Sequence, residues 1–111
     1  MGGEMIRLKE GVKLHGLTPQ ALFGMMVVDQ VFRDHNLQQA LWITSVAEGR
    51  HSSKSLHYHG RAFDVRLPTI EPFERAEAML ADCCQYLGPD FDVVAESNHW
   101  HIEWDPKGPP R

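Results

Sequence analysis

Apolar residues recur along this chain with two different periods, one helical and one of two residues, and their order predicts its architecture. Thr18-Pro19 reads as an N-cap followed by proline at the first helical position. Ala21, Met25, Val28 and Phe32 then fall on one stripe, which predicts a helix from about Pro19 to about His35, stopped by Asn36. Residues Ala40 to Val46 (ALWITSV) are β-branched and aromatic and predict a buried strand. Glu48 to Ser55 has the composition of a loop. In Arg61 to Arg66, Ala62, Asp64 and Arg66 share one face and Phe63 and Val65 the other, as in a short strand.

A second helix is marked by Phe73, Ala76, Leu80, Cys83, Cys84 and Leu87, with Glu74, Arg75, Glu77 and Asp82 on its wet face. Pro72 belongs in a first turn, which puts the start near Thr69 to Glu71, and Gly88-Pro89 ends it. Phe91 to Ala95 and His99 to Trp104 read as two strands of a hairpin joined by Glu96-Ser97-Asn98. A short strand also fits within Ile6 to Leu14. The expected fold class is α+β: a small, largely antiparallel sheet packed with two main helices.

The 111 residues suit one domain, 1–111, whose last residues, 105–111, form a Pro/Gly-rich tail. A composition of 42% hydrophobic and 23% charged residues indicates a folded chain. The net charge of −4 and the scattered basic residues argue against nucleic acid as a partner. No apolar run is long enough to span a membrane, and the N-terminal MGGEMIRLKEG lacks the apolar core of a signal peptide. The expectation is a monomer made in the cytoplasm. Cys83 and Cys84 are adjacent and sit in no ligand spacing, so both are expected to be buried thiols on a helix face rather than a bridge.

Histidine placement changes the picture. Of seven histidines, those at 51, 57, 59, 99 and 101 fall in the loop and at strand edges rather than inside helices. On the last strand His99, His101 and Glu103 share one face, while Trp100, Ile102 and Trp104 share the other and anchor the strand in a core. The pair of histidines is a good metal or acid–base device, but periodicity makes the two equivalent and equally fits a half-exposed polar face. His57 and Asp64 stand either side of a turn allowed by Gly60. Together with a histidine of the last strand they would form a two-histidine, one-carboxylate set. Such a set leaves a position open for water, as a catalytic zinc requires, and the lack of cysteine ligands argues against a closed structural site.

The stretch SLHYHGRAFD, Ser55 to Asp64, resembles the S-x-H-x-x-G-x-A-x-D motif of the zinc D-alanyl-D-alanine carboxypeptidases and related cell-wall peptidases. That superfamily includes VanX-like dipeptidases, phage L-alanyl-D-glutamate endopeptidases and the hedgehog signalling domain. From His51-Ser52 to Asp64 the chain is similar to the hedgehog form, HS-x-x-SLHY-x-GRA-x-D. Glu96-Ser97-Asn98-His99-Trp100-His101 resembles the distal motif, an acidic residue a few positions before the last histidines. The two motifs stand about 35 residues apart with a helix between them, and the resemblance covers residues 40 to 104.

The resemblance implies one zinc ion per chain bound by His57, Asp64 and His101, a general base at Glu96, and His99 beside the third ligand stabilising charge. Glu96 precedes His99 by three residues and His101 by five. In VanX-like members the ligand histidine comes three positions after the base, and in hedgehog-like members the last histidine comes six after it, so His99 stays an alternative to His101. Arg50 and His51 are candidates for a substrate or oxyanion contact. Glu103 is a candidate to orient a ligand histidine.

The implied activity is hydrolysis of peptidoglycan stem peptides, by a carboxypeptidase or by an endopeptidase like those of phage endolysins. The substrate would then be the cell wall, reached after phage-type release. A zinc-containing binding module of the hedgehog type, or a phage structural component, is the alternative, and the presence of Glu96 favours the enzyme. A non-haem iron oxygenase also uses two histidines and a carboxylate, but its usual HxD pairing is absent. The segment before His57 carries Glu48 as its only acid, so no calcium site is expected.

Overall fold

The computed structural model describes residues 6–46, 60–67, 70–71 and 73–106. Thr18 opens the first helix, α1 (Pro19–Asp34): its Oγ1 accepts a hydrogen bond from the Ala21 amide at 3.1 Å, supplying a partner that the helix cannot give its own first turn. Ala21, Met25, Val28 and Phe32 are fully buried, as their spacing requires. The helix ends where Asn36 takes the left-handed conformation at φ 62°. The second helix, α2 (Phe73–Leu87), buries Met79, Cys83 and Leu87. It starts at Phe73, later than the expected Thr69 to Glu71.

Five strands form one sheet: β1 (Ile6–Leu8), β2 (Leu41–Ser45), β3 (Ala62–Arg66), β4 (Phe91–Ala95) and β5 (His99–Trp104). Their order is β1-β2-β3-β5-β4. β1 pairs in parallel with β2, which α1 makes possible by crossing between them, and the other three pairings are antiparallel. Because β3 and β4 both run antiparallel to β5, they are parallel to each other, with α2 as their crossover. β5 is inserted in that split unit, and this brings the last strand beside β3.

Both helices pack together on one face of the sheet. There Ile43, Phe63, Val65, Trp100 and Ile102 meet the α1 stripe in a single core, and Phe32 stands edge-on to Trp100 with ring centroids 6.2 Å apart. The architecture is therefore α+β with two helices and a mostly antiparallel sheet. Among the described residues no helix is long and apolar enough to cross a membrane.

Two expectations from periodicity need correction. Cys84 is exposed, because the buried stripe of α2 runs through every fourth residue (Met79, Cys83 and Leu87) and leaves Cys84 turned away. Phe73 is 69% exposed, since it lies in the first turn of α2. His35, just past the end of α1, is half-buried, its Nε2 lies 2.8 Å from Asp82 Oδ2, and its carbonyl accepts from Arg75, so it ties α1 to α2.

Candidate metal centre

The face of the sheet opposite the helices carries the polar half of each strand's alternation. Asp64 and Arg66 of β3, His99, His101 and Glu103 of β5, and Asp92 and Val94 of β4 all lie there, half-buried or exposed. Register decides which of them meet. Asp64 is directly opposite His101, whereas His99 is opposite Arg66. The two histidines that periodicity leaves equivalent are thus set apart by cross-strand pairing.

Asp64 Oδ1 and His101 Nδ1 are 2.8 Å apart, and both side chains are about one-fifth exposed (20% and 21%). On the other side of the ring, His101 Nε2 is 2.5 Å from Glu103 Oε1. The imidazole is therefore held edge-on between two carboxylates. The hydrogen bond that His101 donates to Asp64 chiefly lifts the His101 pKa above its ordinary value; partial burial opposes the lift and the Glu103 hydrogen bond reinforces it. His99 differs: its Nδ1 is 2.8 Å from Asn98 Oδ1, its own neighbour in the chain.

The donor chemistry of the Asp64–His101 pair fits a zinc ion. Two ligands of a tetrahedral zinc at bond lengths of about 2.0–2.2 Å stand roughly 3.3 Å from each other. The observed 2.8 Å needs only a small opening to match. Glu103 then occupies the place of a carboxylate that receives the second ring N–H of a ligand histidine, the common arrangement for fixing its tautomer and orientation.

Local backbone supports this arrangement. The β2–β3 pairing shifts register between Ile43 and Ser45, which bends β2 as it passes Asp64. Gly60, just before β3, has φ 73°, and an added Cβ would stand 2.0 Å from the Gly16 carbonyl oxygen. Its own carbonyl accepts from the Thr18 amide at 2.8 Å. The start of β3 is thus clamped to the start of α1 by a contact that only glycine permits.

Glu96 follows β4 at the hairpin tip, opposite His99, and its amide donates to the His99 carbonyl at 2.8 Å. Its side chain is exposed and forms no hydrogen bond or ion pair among the described residues. It sits one strand away from the Asp64–His101 pair and nearer the hairpin end. His57, Arg50 and His51 lie outside the described residues.

Two features of this face were not singled out by sequence reasoning. Arg66, opposite His99, stacks over the Trp42 ring with its guanidinium carbon 5.5 Å from the centroid. The alternation of β3 placed it on the Asp64 face, but nothing local marks it for a role. Asp92, Glu103 and Asp105 each offer an oxygen within 4.8 Å of the others, and exposed acidic groups commonly cluster so without an ion. Asp92 comes to Glu103 through the β4–β5 register, which the hairpin alone makes foreseeable.

Comparison with protein-family models, with curated proteins and with solved structures finds no match to this chain.

Proposed function

We propose that the chain is a zinc-dependent peptidase that cleaves peptide bonds in bacterial cell-wall peptides. The observation that carries this reading is the cross-strand contact of Asp64 with His101, backed by Glu103 on the far side of the ring. The motif from Ser55 to Asp64 adds His57 as the third ligand of one zinc ion per chain. Bound there, zinc supplies Lewis acidity at the scissile carbonyl and makes water acidic enough to attack at near-neutral pH.

The chain's own groups do the rest. Glu96 takes the proton of the attacking water and returns it to the departing amine, a general-base and general-acid role worth about 10²–10⁴ in rate. Its exposed position at the hairpin tip leaves it open to substrate. His99 donates to the oxygen on which negative charge develops. Arg50 and His51 serve as further donors or grip a substrate carboxylate. Glu103 acts through His101 by fixing the direction of its ring.

Replacing Glu96 by alanine tests the base directly. The variant is expected to keep its zinc while peptidoglycan digests, read by mass spectrometry, lose the released peptides. Full activity in Glu96→Ala would falsify the assignment. The same digests of the unaltered protein name the bond that is cut and so separate carboxypeptidase from endopeptidase.

One observation favours a second reading, a zinc-containing binding module of the hedgehog type: among the described residues no side-chain hydrogen bond or ion pair ties Glu96 to the Asp64–His101 pair. Protein that holds zinc and adheres to wall peptides, yet releases no fragment from them, would support that reading over hydrolysis.

A further inference from the structure

A recess of about 620 Å³ opens on the helical side of the sheet, between the first half of α2 and the β4–β5 hairpin tip. Leu67, Ile70, Leu80 and Trp100 line it with apolar surface, Trp100 being buried, and the exposed Phe73 stands at its mouth. The volume falls in the range of small-molecule sites, which are typically apolar with a few polar groups that fix orientation.

Its charged groups have one sign. Glu77 of α2 and Glu96 of the hairpin both border the recess, beside the neutral Ser97 and Asn98; both glutamates are exposed, and among the described residues no basic side chain lines it. Phe73, 69% exposed at the mouth, is the most exposed large apolar side chain among the described residues. An anionic ligand would meet two carboxylates, and a purely apolar one would make no use of them.

We propose that this recess binds a compact apolar group that carries a protonated amine, the chemistry of a leucine-like residue with a free amino terminus. The apolar part lies on Leu67, Leu80 and Trp100, under Phe73, and the ammonium faces Glu77 and Glu96. Glu96 sits just beyond the last residue of β4, at the hairpin end of the sheet, and lines the recess there. The inference concerns binding alone and is read by an observable separate from hydrolysis.

The test is a titration of the ¹⁵N-labelled protein with leucinamide and, separately, with N-acetyl-leucinamide, followed by amide chemical shifts. Leucinamide is expected to move the amides of Leu80, Ala95 and Ser97. Blocking its amine is expected to weaken binding about fivefold, the size of one exposed charge pair. Glu77→Gln, an exposed change that keeps the fold, should narrow that difference. Ala76→Phe, which fills the recess, should abolish the shifts caused by either probe while Glu77→Gln retains them. Equal binding of the two probes, or shifts confined to residues away from the recess, would overturn the proposal.

Discussion

Among the described residues, His101 is held by Asp64 across the ladder and by Glu103 along its own strand, in the register that sets them in line. The alternation of HWHIEW made visible that His99, His101 and Glu103 share a face. It did not show which histidine meets Asp64, because that depends on a register formed across a separation of 37 residues. If Glu103 orients a zinc ligand, Glu103→Ala should weaken zinc affinity roughly 10–100-fold without removing the site. Competition with a chelator of known affinity measures this, and unchanged affinity would make Glu103 a bystander.

The cysteines show the same limit of periodicity at the residue scale. Cys83 is buried, and burial, with smaller contributions from Cys84 and Asp82, pushes its thiol up to about 12. A thiol so rarely ionised is a poor nucleophile, whereas Cys84 is exposed. Iodoacetamide at pH 8 should therefore alkylate Cys84 in the native protein and reach Cys83 only after unfolding. Peptide mapping checks this, and rapid native labelling of Cys83 would contradict the burial of the α2 stripe.

At the scale of elements, the helix and strand bounds were largely written in local chemistry. Thr18-Pro19 starts α1, Asn36 ends it, and both strands of the last hairpin occur where alternation puts them. The start of α2 was less legible: Pro72 suits either the first turn or the residue before a helix, and the helix begins at Phe73. Gly60 was legible as a turn residue but not as a clamp, because its tight neighbour, Gly16, comes from a distant part of the chain.

Two substitutions separate these effects. Thr18→Ala removes one cap and should cost about 1 kcal/mol. Gly60→Ala meets both a positive φ and the Gly16 carbonyl, so it should cost more, on the order of 2–3 kcal/mol. Urea denaturation gives both numbers. A smaller loss at Gly60 than at Thr18 would mean that the clamp at the start of β3 is not needed.

At the scale of the molecule, fold class followed from the order of periodic segments, but strand order did not. Nothing in the local pattern of β5 says that it enters between β3 and β4 rather than adding at an edge. Yet that insertion is what makes a metal centre conceivable. With β5 at the far edge, beyond β4, Asp64 and His101 would lie more than one strand apart and could not share an ion. The core face of β5, Trp100 and Ile102, is fully or almost fully buried, which fits a central strand better than an edge.

The central claim is a zinc ion held by Asp64 and His101 together with His57. Metal analysis of the purified protein, alongside His101→Ala and His99→Ala prepared in the same way, tests it most directly. About one zinc per chain is predicted for the unaltered protein and for His99→Ala, and close to none for His101→Ala. A protein that takes up no zinc, or one that loses it with His99 and keeps it without His101, would contradict the account.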